Sequence, residues 1–233
     1  MPASVITRRG LLETTNLRQS MKIKHIEPAT YVPRSPAEFI GPAREVATVL
    51  AAKAEHVREN KTGNLKYVFT GPPGSGKTSL AELLAQELTR EKIRKGQSFH
   101  VESINGRSVD LPLIRRWQSE SRYIPTCWVV KIINELDTCK QDSQDLLLTY
   151  LDELADRVAF IGTSNVKLNQ MDERFQTRLQ QWPVKPPEGE DIHGLVKRFG
   201  LPKQTIAQIV LGCGGNVRAA MLDAQSILDA QLV

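Results

Sequence analysis

Eight consecutive residues, Gly71-Pro72-Pro73-Gly74-Ser75-Gly76-Lys77-Thr78, carry the spacing G-x-x-x-x-G-K-[ST]. Glycines at these intervals let the main chain curl so that its N–H groups point inward at an oxyanion. A helix opening near Lys77 adds the positive end of its dipole. Lys77 brings a mobile point charge, and the Thr78 hydroxyl suits Mg²⁺. The chemistry implied is a grip on the β- and γ-phosphates of a nucleotide.

Hydrolysis needs a second group, a carboxylate that orients water. The apolar run Trp128-Val129-Val130-Lys131-Ile132-Ile133 leads into Asn134-Glu135-Leu136-Asp137. In nucleotide hydrolases such a strand tip presents an aspartate to the Mg²⁺ shell and then a glutamate to the attacking water. Here Asn134 stands first. Its amide accepts hydrogen bonds from metal-bound water but has no charge, and charge-assisted bonds are about twice as strong as neutral ones. Glu135 remains to polarise water. The expectation is slow turnover and a loosely held Mg²⁺.

These groups need rigid elements beneath them. Leu65–Thr70 reads as a short strand running straight into the glycine turn, and Ser79–Glu91 as a helix with Leu80, Leu83, Leu84 and Leu88 on one face. Further strands are predicted at Phe99–Ile104, Cys127–Ile133 and Arg157–Gly162. Helical segments are predicted from Pro42 to about residue 60, around Leu113–Glu120 and over Ser143–Leu154. Strands alternating with helices at this length give a parallel sheet covered on both faces. After Trp182, Pro183, Pro186 and Pro187 form a stiff connector to three short helices, Asp191–Phe199, Lys203–Leu211 and Val217–Leu232. These are too small to bury much surface alone, so they should pack on the sheet domain as a lid. The organisation expected is an extended basic arm over 1–37, a P-loop core over 38–184 and a helical lid over 185–233. The fold class is α/β: a three-layer parallel sheet with a small all-helical lid.

Composition narrows the classes. A chain of 233 residues that is 40% hydrophobic has the size of one α/β unit with a small appendage. No uninterrupted apolar stretch exceeds four residues, whereas a membrane-spanning helix needs about twenty. Three cysteines, Cys127, Cys139 and Cys213, lack metal-ligand spacing and fit a reducing compartment. No signal-peptide pattern opens the chain, so a cytoplasmic or nucleoid-associated protein is expected. Of the net charge of +5, most sits in the first 24 residues, where Arg8, Arg9, Arg18, Lys22 and Lys24 face Glu13 alone. Such an arm suits either nucleic acid or plain solvation. The four histidines His25, His56, His100 and His193 are scattered and offer no metal-hydrolase cluster.

Beyond the phosphate loop, the sequence resembles the AAA+ ATPases, in particular the clamp-loader and helicase-loader group. Tyr31-Val32-Pro33-Arg34 and Glu38-Phe39-Ile40-Gly41 are similar to the family's adenine-wrapping segment, which implies that Ile40 and Gly41 contact the base of ATP. Ile104-Asn105-Gly106-Arg107-Ser108, with Ile114-Arg115, looks like the matching stretch of clamp-loader small subunits. Phe160-Ile161-Gly162-Thr163-Ser164-Asn165 resembles the sensor-1 strand, implying that Asn165 contacts the γ-phosphate or the attacking water; a plain turn residue is the rival. Glu173-Arg174-Phe175-Gln176-Thr177-Arg178 is similar to the segment bearing the arginine finger. The resemblance favours Arg178, with Arg174 second. Gly214-Gly215-Asn216-Val217-Arg218 looks like sensor 2, with Arg218 reaching down from the lid.

The resemblance further implies ATP and Mg²⁺ as ligands and a homo- or hetero-oligomer with ATP sites between subunits. It also implies DNA, or a partner protein of a DNA-processing machine, as the object acted on. Arg107, Arg115, Arg116 and Arg122 lie where relatives face a central channel, although a solvated face explains them equally. Clamp-loader subunits continue into a helical collar and branch-migration motors into a winged helix. A sequence ending at Val233 with neither is expected to be a minimal loader or filament-forming regulator. Two rivals stand beside this reading: a hydrolysis-deficient nucleotide-dependent scaffold, and a protein remodeller without nucleic-acid binding. The three tryptophans, Trp117, Trp128 and Trp182, are assigned to packing.

Overall fold

A computed structural model describes residues 27–60, 62–90 and 100–231. The basic residues of the first 24 positions, His25 and Phe99 lie outside them. Eight α-helices and five strands are described. In chain order these are α1 (Gly41–Asn60), β1 (Leu65–Thr70), α2 (Lys77–Thr89), β2 (Val101–Asn105), α3 (Leu111–Glu120), β3 (Val129–Asn134) and α4 (Gln141–Asp152). Then follow β4 (Val158–Ser164), α5 (Glu173–Gln176), β5 (Gln180–Pro183), α6 (Gly189–Val196), α7 (Lys203–Cys213) and α8 (Val217–Ala230). The strands form one sheet in the order β2-β3-β4-β1-β5, and every pairing is parallel.

Side chains alternate across the strands and so feed two cores. Tyr67, Phe69, Val130, Ile132, Ala159 and Ile161 point to the face covered by Leu50 and Ala54 of α1 and by Leu80, Leu84 and Leu88 of α2. Val68, Ile133, Val158 and Phe160 point to the other, against Ile114 and Trp117 of α3 and Leu147 and Leu151 of α4. Each large side chain buried there contributes on the order of 1.5–3 kcal/mol. A third cluster joins the C-terminal helices through Ile192, Leu195, Ile206, Ile209, Ala220 and Met221, with Ile40 packed among them. The expected three layers and small helical lid are therefore present. No helix among the described residues is long and apolar enough to cross a membrane.

Several details differ from expectation. The segment ending at Pro183 is a fifth strand, so Pro183, expected in the connector, closes a strand of the sheet instead, and the Trp182 ring beside it meets Tyr67 edge-on at 5.6 Å. Four residues with exposed glutamines carry no period to read. Lys131, in the middle of β3, is only 6% exposed. It donates to Glu102 Oε2 at 3.0 Å and Glu120 Oε2 at 2.8 Å, while Arg116 bonds to both glutamates as well. An unpaired charge there would cost several kcal/mol; this network removes that cost and fixes β2 to α3. Arg116 is thus held on two carboxylates, although its side chain, like those of Arg107, Arg115 and Arg122, is exposed.

Candidate nucleotide site

The carboxyl ends of parallel strands are where open α/β sheets bind ligands, and the expected residues gather there. The loop Gly71–Gly76 joins β1 to α2, anchored by Gly71 N–H to Ser164 O at 3.3 Å and Leu80 N–H to Gly76 O at 2.9 Å. Gly74 (φ +76°) and Gly76 (φ +95°) occupy left-handed conformations. A Cβ on Gly74 would stand 1.8 Å from Asn216 Oδ1, so the backbone curl and the close approach both require glycine. The first N–H groups of α2 have no intrahelical partner, and the buried Ser75 hydroxyl has none either. Donors left over in this way suit a ligand rich in oxygen.

Lys77 is 8% exposed and donates to Gly71 O at 2.8 Å and Pro72 O at 2.7 Å. Burial pulls its pKa down to about 8; Asp137 and Glu135 oppose the shift, and Arg218 adds to it. Both cations therefore face the same space, a setting that favours an anion between them.

Asn134 ends β3 directly opposite Asn105 of β2. Its Oδ1 accepts from Thr78 Oγ1 at 3.1 Å and Thr163 Oγ1 at 3.4 Å, and its Nδ2 donates to Ser103 Oγ at 2.9 Å. Glu135 follows at φ +57°, ψ +51°, an uncommon conformation for a side-chain-bearing residue that concentrates at functional sites. Its N–H donates to Thr163 Oγ1 at 3.2 Å, and its Oε2 accepts from Asn105 Nδ2 at 3.1 Å. Thr78 and Asn134 present hard oxygens beside a carboxylate. That donor set fits Mg²⁺, which keeps most of its water and draws other ligands from phosphates; the ion would supply charge neutralisation there.

Lys77, Thr78, Glu135, Thr163, Asn165 and Arg218 line one cavity of about 120 Å³. A neighbouring cavity of about 320 Å³ is walled by Tyr31, Phe39, Ile40, Leu195 and Met221 and shares Gly74, Gly76, Ser79 and Arg218 with the first. A small polar chamber opening on a larger apolar one has the shape for a triphosphate and a base. Gly41 is not among the lining residues; it opens α1 at φ +52°, where a Cβ would stand 2.6 Å from Asp191 Oδ2. Asn216 caps α8 by accepting from Ala219 N–H at 3.1 Å, and Val217 N–H donates to Gly74 O at 3.3 Å. The lid thus touches the phosphate loop directly.

Arg178 lies outside both cavities. Its Nε and Nη2 each donate to Asp152 at 2.8 Å, while Arg174 bonds to Asp145 at 2.7 Å and Asp172 at 2.6 Å. Helix α5 ends at Gln176, so the two arginines do not share one helical face. Asn105, Ser103 and Thr163, which hold Asn134 and Glu135, escaped sequence reasoning, because only the β2–β3–β4 register brings them together.

Fold and site together define a P-loop nucleotide-binding protein. Residues 67–182 match the family model "ATPase family associated with various cellular activities (AAA)". The chain carries an AAA ATPase domain and belongs through it to that family. Pachytene checkpoint protein 2 homolog of Homo sapiens is 34% identical over 113 residues, covering 47% of this chain and 24% of that protein. Replication factor C small subunit 2 of Pyrobaculum aerophilum is 29% identical over 125 residues, covering 52% and 39%. The matched parts are thus a quarter to two-fifths of these relatives. Among solved structures, a RuvB variant of Thermotoga maritima superimposes with a TM-score of 0.68 at 19% identity, over 85% of this chain and 66% of that one. A DNA polymerase III gamma subunit-related protein of the same organism gives 0.56 at 13% identity, over 76% and 57%. At these identities the likeness is one of fold.

One prediction belongs to Asn134. Asn134→Asp restores a charge beside Thr78 while keeping the side chain's shape, and Ser103 can turn its hydroxyl to donate instead of accept. The Mg²⁺ concentration for half-maximal ATP turnover should fall about fivefold, or the rate rise comparably. A Mg²⁺ titration of turnover measures both; no change in either contradicts the role given to this position.

Proposed function

We propose that this protein is an oligomeric ATP-hydrolysing switch or motor that acts on DNA or on a DNA-bound protein machine. Lys77 and the loop amides hold the phosphates, with Thr78 and, through bound water, Asn134 holding Mg²⁺. Glu135 polarises the attacking water, and Asn165 and Arg218 contact the γ-phosphate end. Ile40 and the apolar wall receive adenine. Arg178 is supplied to the site of a neighbouring copy. The observation carrying this reading is the single polar cavity in which Lys77, Thr78, Glu135, Asn165 and Arg218 converge, while Arg178 faces away from it. Hydrolysis then alters what holds Arg218 and so the angle of the lid.

The DNA-directed part of the reading is supported by the names of two similar proteins, a replication factor and a DNA polymerase III-related subunit. Exposed Arg107, Arg115 and Arg122 are among the described residues suited to phosphate contact. Three such contacts predict a loss of DNA affinity of about 40-fold between 50 and 200 mM salt, from counterion release. Fluorescence anisotropy with ATP and Mg²⁺ present reads it directly. Absence of binding at low salt removes the DNA reading and leaves a protein remodeller. A remodeller threading polypeptide uses an accessible aromatic; Trp117, the aromatic between Gly106 and Gln118, is fully buried, and exposed Tyr123 beyond that segment is the aromatic such a reading would have to use. The uncharged Asn134 favours a second reading, a nucleotide-dependent scaffold; ATP binding without turnover, even with DNA and partner, would support it.

A further inference from the structure

Asp145 and Asp152 stand seven residues apart on α4, about two turns and so on one face. Against that face lies the α5 segment, with one arginine held by each carboxylate. The Arg178 pairing is a two-point fork: Nε donates to Asp152 Oδ1 and Nη2 to Oδ2, both at 2.8 Å. The remaining nitrogen, Nη1, donates to Arg174 O at 3.0 Å. Every nitrogen of the guanidinium is engaged within its own chain. An oxyanion is best gripped by this same fork, so a carboxylate and a phosphate compete for it and cannot both have it.

We propose that Asp152 is a positioning residue that keeps Arg178 in reserve, standing in for a phosphate until a second copy of the chain presents its bound triphosphate. The inference rests on the assignment of Arg178 as the arginine given to a neighbour. Arg178 and Asp152 keep 28% and 53% of their side-chain surface, so the exchange needs no unfolding. A partner that is competent only part of the time binds with an apparent affinity reduced by that fraction. The reserve therefore raises the protein concentration at which the shared site becomes active and leaves the completed site unaffected. Arg174 is bound by two carboxylates instead of one and stays where it is.

The test is ATP turnover of the full chain as a function of protein concentration, with MgATP saturating. Asp152→Asn keeps the shape and removes the charge. It should lower the concentration at half-maximal specific activity about two- to fivefold, with the plateau rate unchanged. Asp152→Glu should restore wild-type behaviour, and Asp145→Asn should leave the midpoint where it was. A midpoint unmoved or raised by Asp152→Asn overturns the reserve, as does a midpoint shifted by Asp145→Asn instead. Arg178→Ala, run alongside, separates the two levels. If it keeps full turnover, the arginine assignment itself fails; if it loses turnover while Asp152→Asn moves nothing, only the reserve fails.

Discussion

Arg178→Ala is expected to lower ATP turnover by about 10³–10⁵, the range over which an arginine supplied from outside a phosphate site stabilises the transition state. Binding of ATP to the single protomer should hardly change, because Arg178 lines neither nucleotide cavity. Loss of rate without loss of binding separates this role from that of Arg218, which lines both. A complementation experiment sharpens the point. Mixing Arg178→Ala protein with Glu135→Gln protein creates interfaces that combine an intact Glu135 with an intact Arg178. Activity should reappear on mixing two inactive preparations. Full activity of Arg178→Ala, or silence after mixing, contradicts a site completed by a neighbour.

Glu135→Gln is expected to reduce turnover by about 10²–10⁴, the usual contribution of a positioned general base. The amide keeps an oxygen for the bond from Asn105 Nδ2, so the local geometry should survive and nucleotide retention with it. Filter binding and single-turnover hydrolysis on the same preparation check both halves. Equal loss of binding and rate would mean that Glu135 serves the loop rather than the water.

The legible parts of this site are contiguous in sequence or set by short-range pattern. Gly71–Thr78 declares itself because one curl of backbone uses every residue of the motif. Strand β1 was readable to its exact bounds from its aromatic and β-branched residues. Helices α1, α2, α4, α7 and α8 followed from apolar spacing, with ends displaced by one or two residues. The parts that escaped depend on pairing. Asn105 meets Glu135 only because β2 lies beside β3 in register, and nothing local to Asn105 distinguishes it from a turn residue. Lys131 breaks an apolar strand and reads as an interruption until Glu102 and Glu120, from two other elements, neutralise it. Strand β5 is four mostly exposed residues with a proline, too short for alternation to show. The link between Arg178 and Asp152 spans 26 positions, and resemblance to relatives pointed outward to a neighbour instead of inward to α4.

The charge arrangement explains why an anion belongs in the polar cavity. Burial lowers the Lys77 pKa and the Arg218 charge adds to that; the two cations line one cavity, a setting suited to a negative group between them. The lid helix α8 bonds to the loop through Val217 and Gly74, so on the proposed reading a change at the loop is felt by the lid.

The most direct measurement is the mass of the full chain in solution, by light scattering after gel filtration, with Mg²⁺ and a non-hydrolysable ATP analogue. Retention of the analogue together with a rise in mass to a multiple of the protomer is the predicted result. A chain that releases the analogue, or that holds it and stays a single protomer at saturation, contradicts a nucleotide site shared between copies.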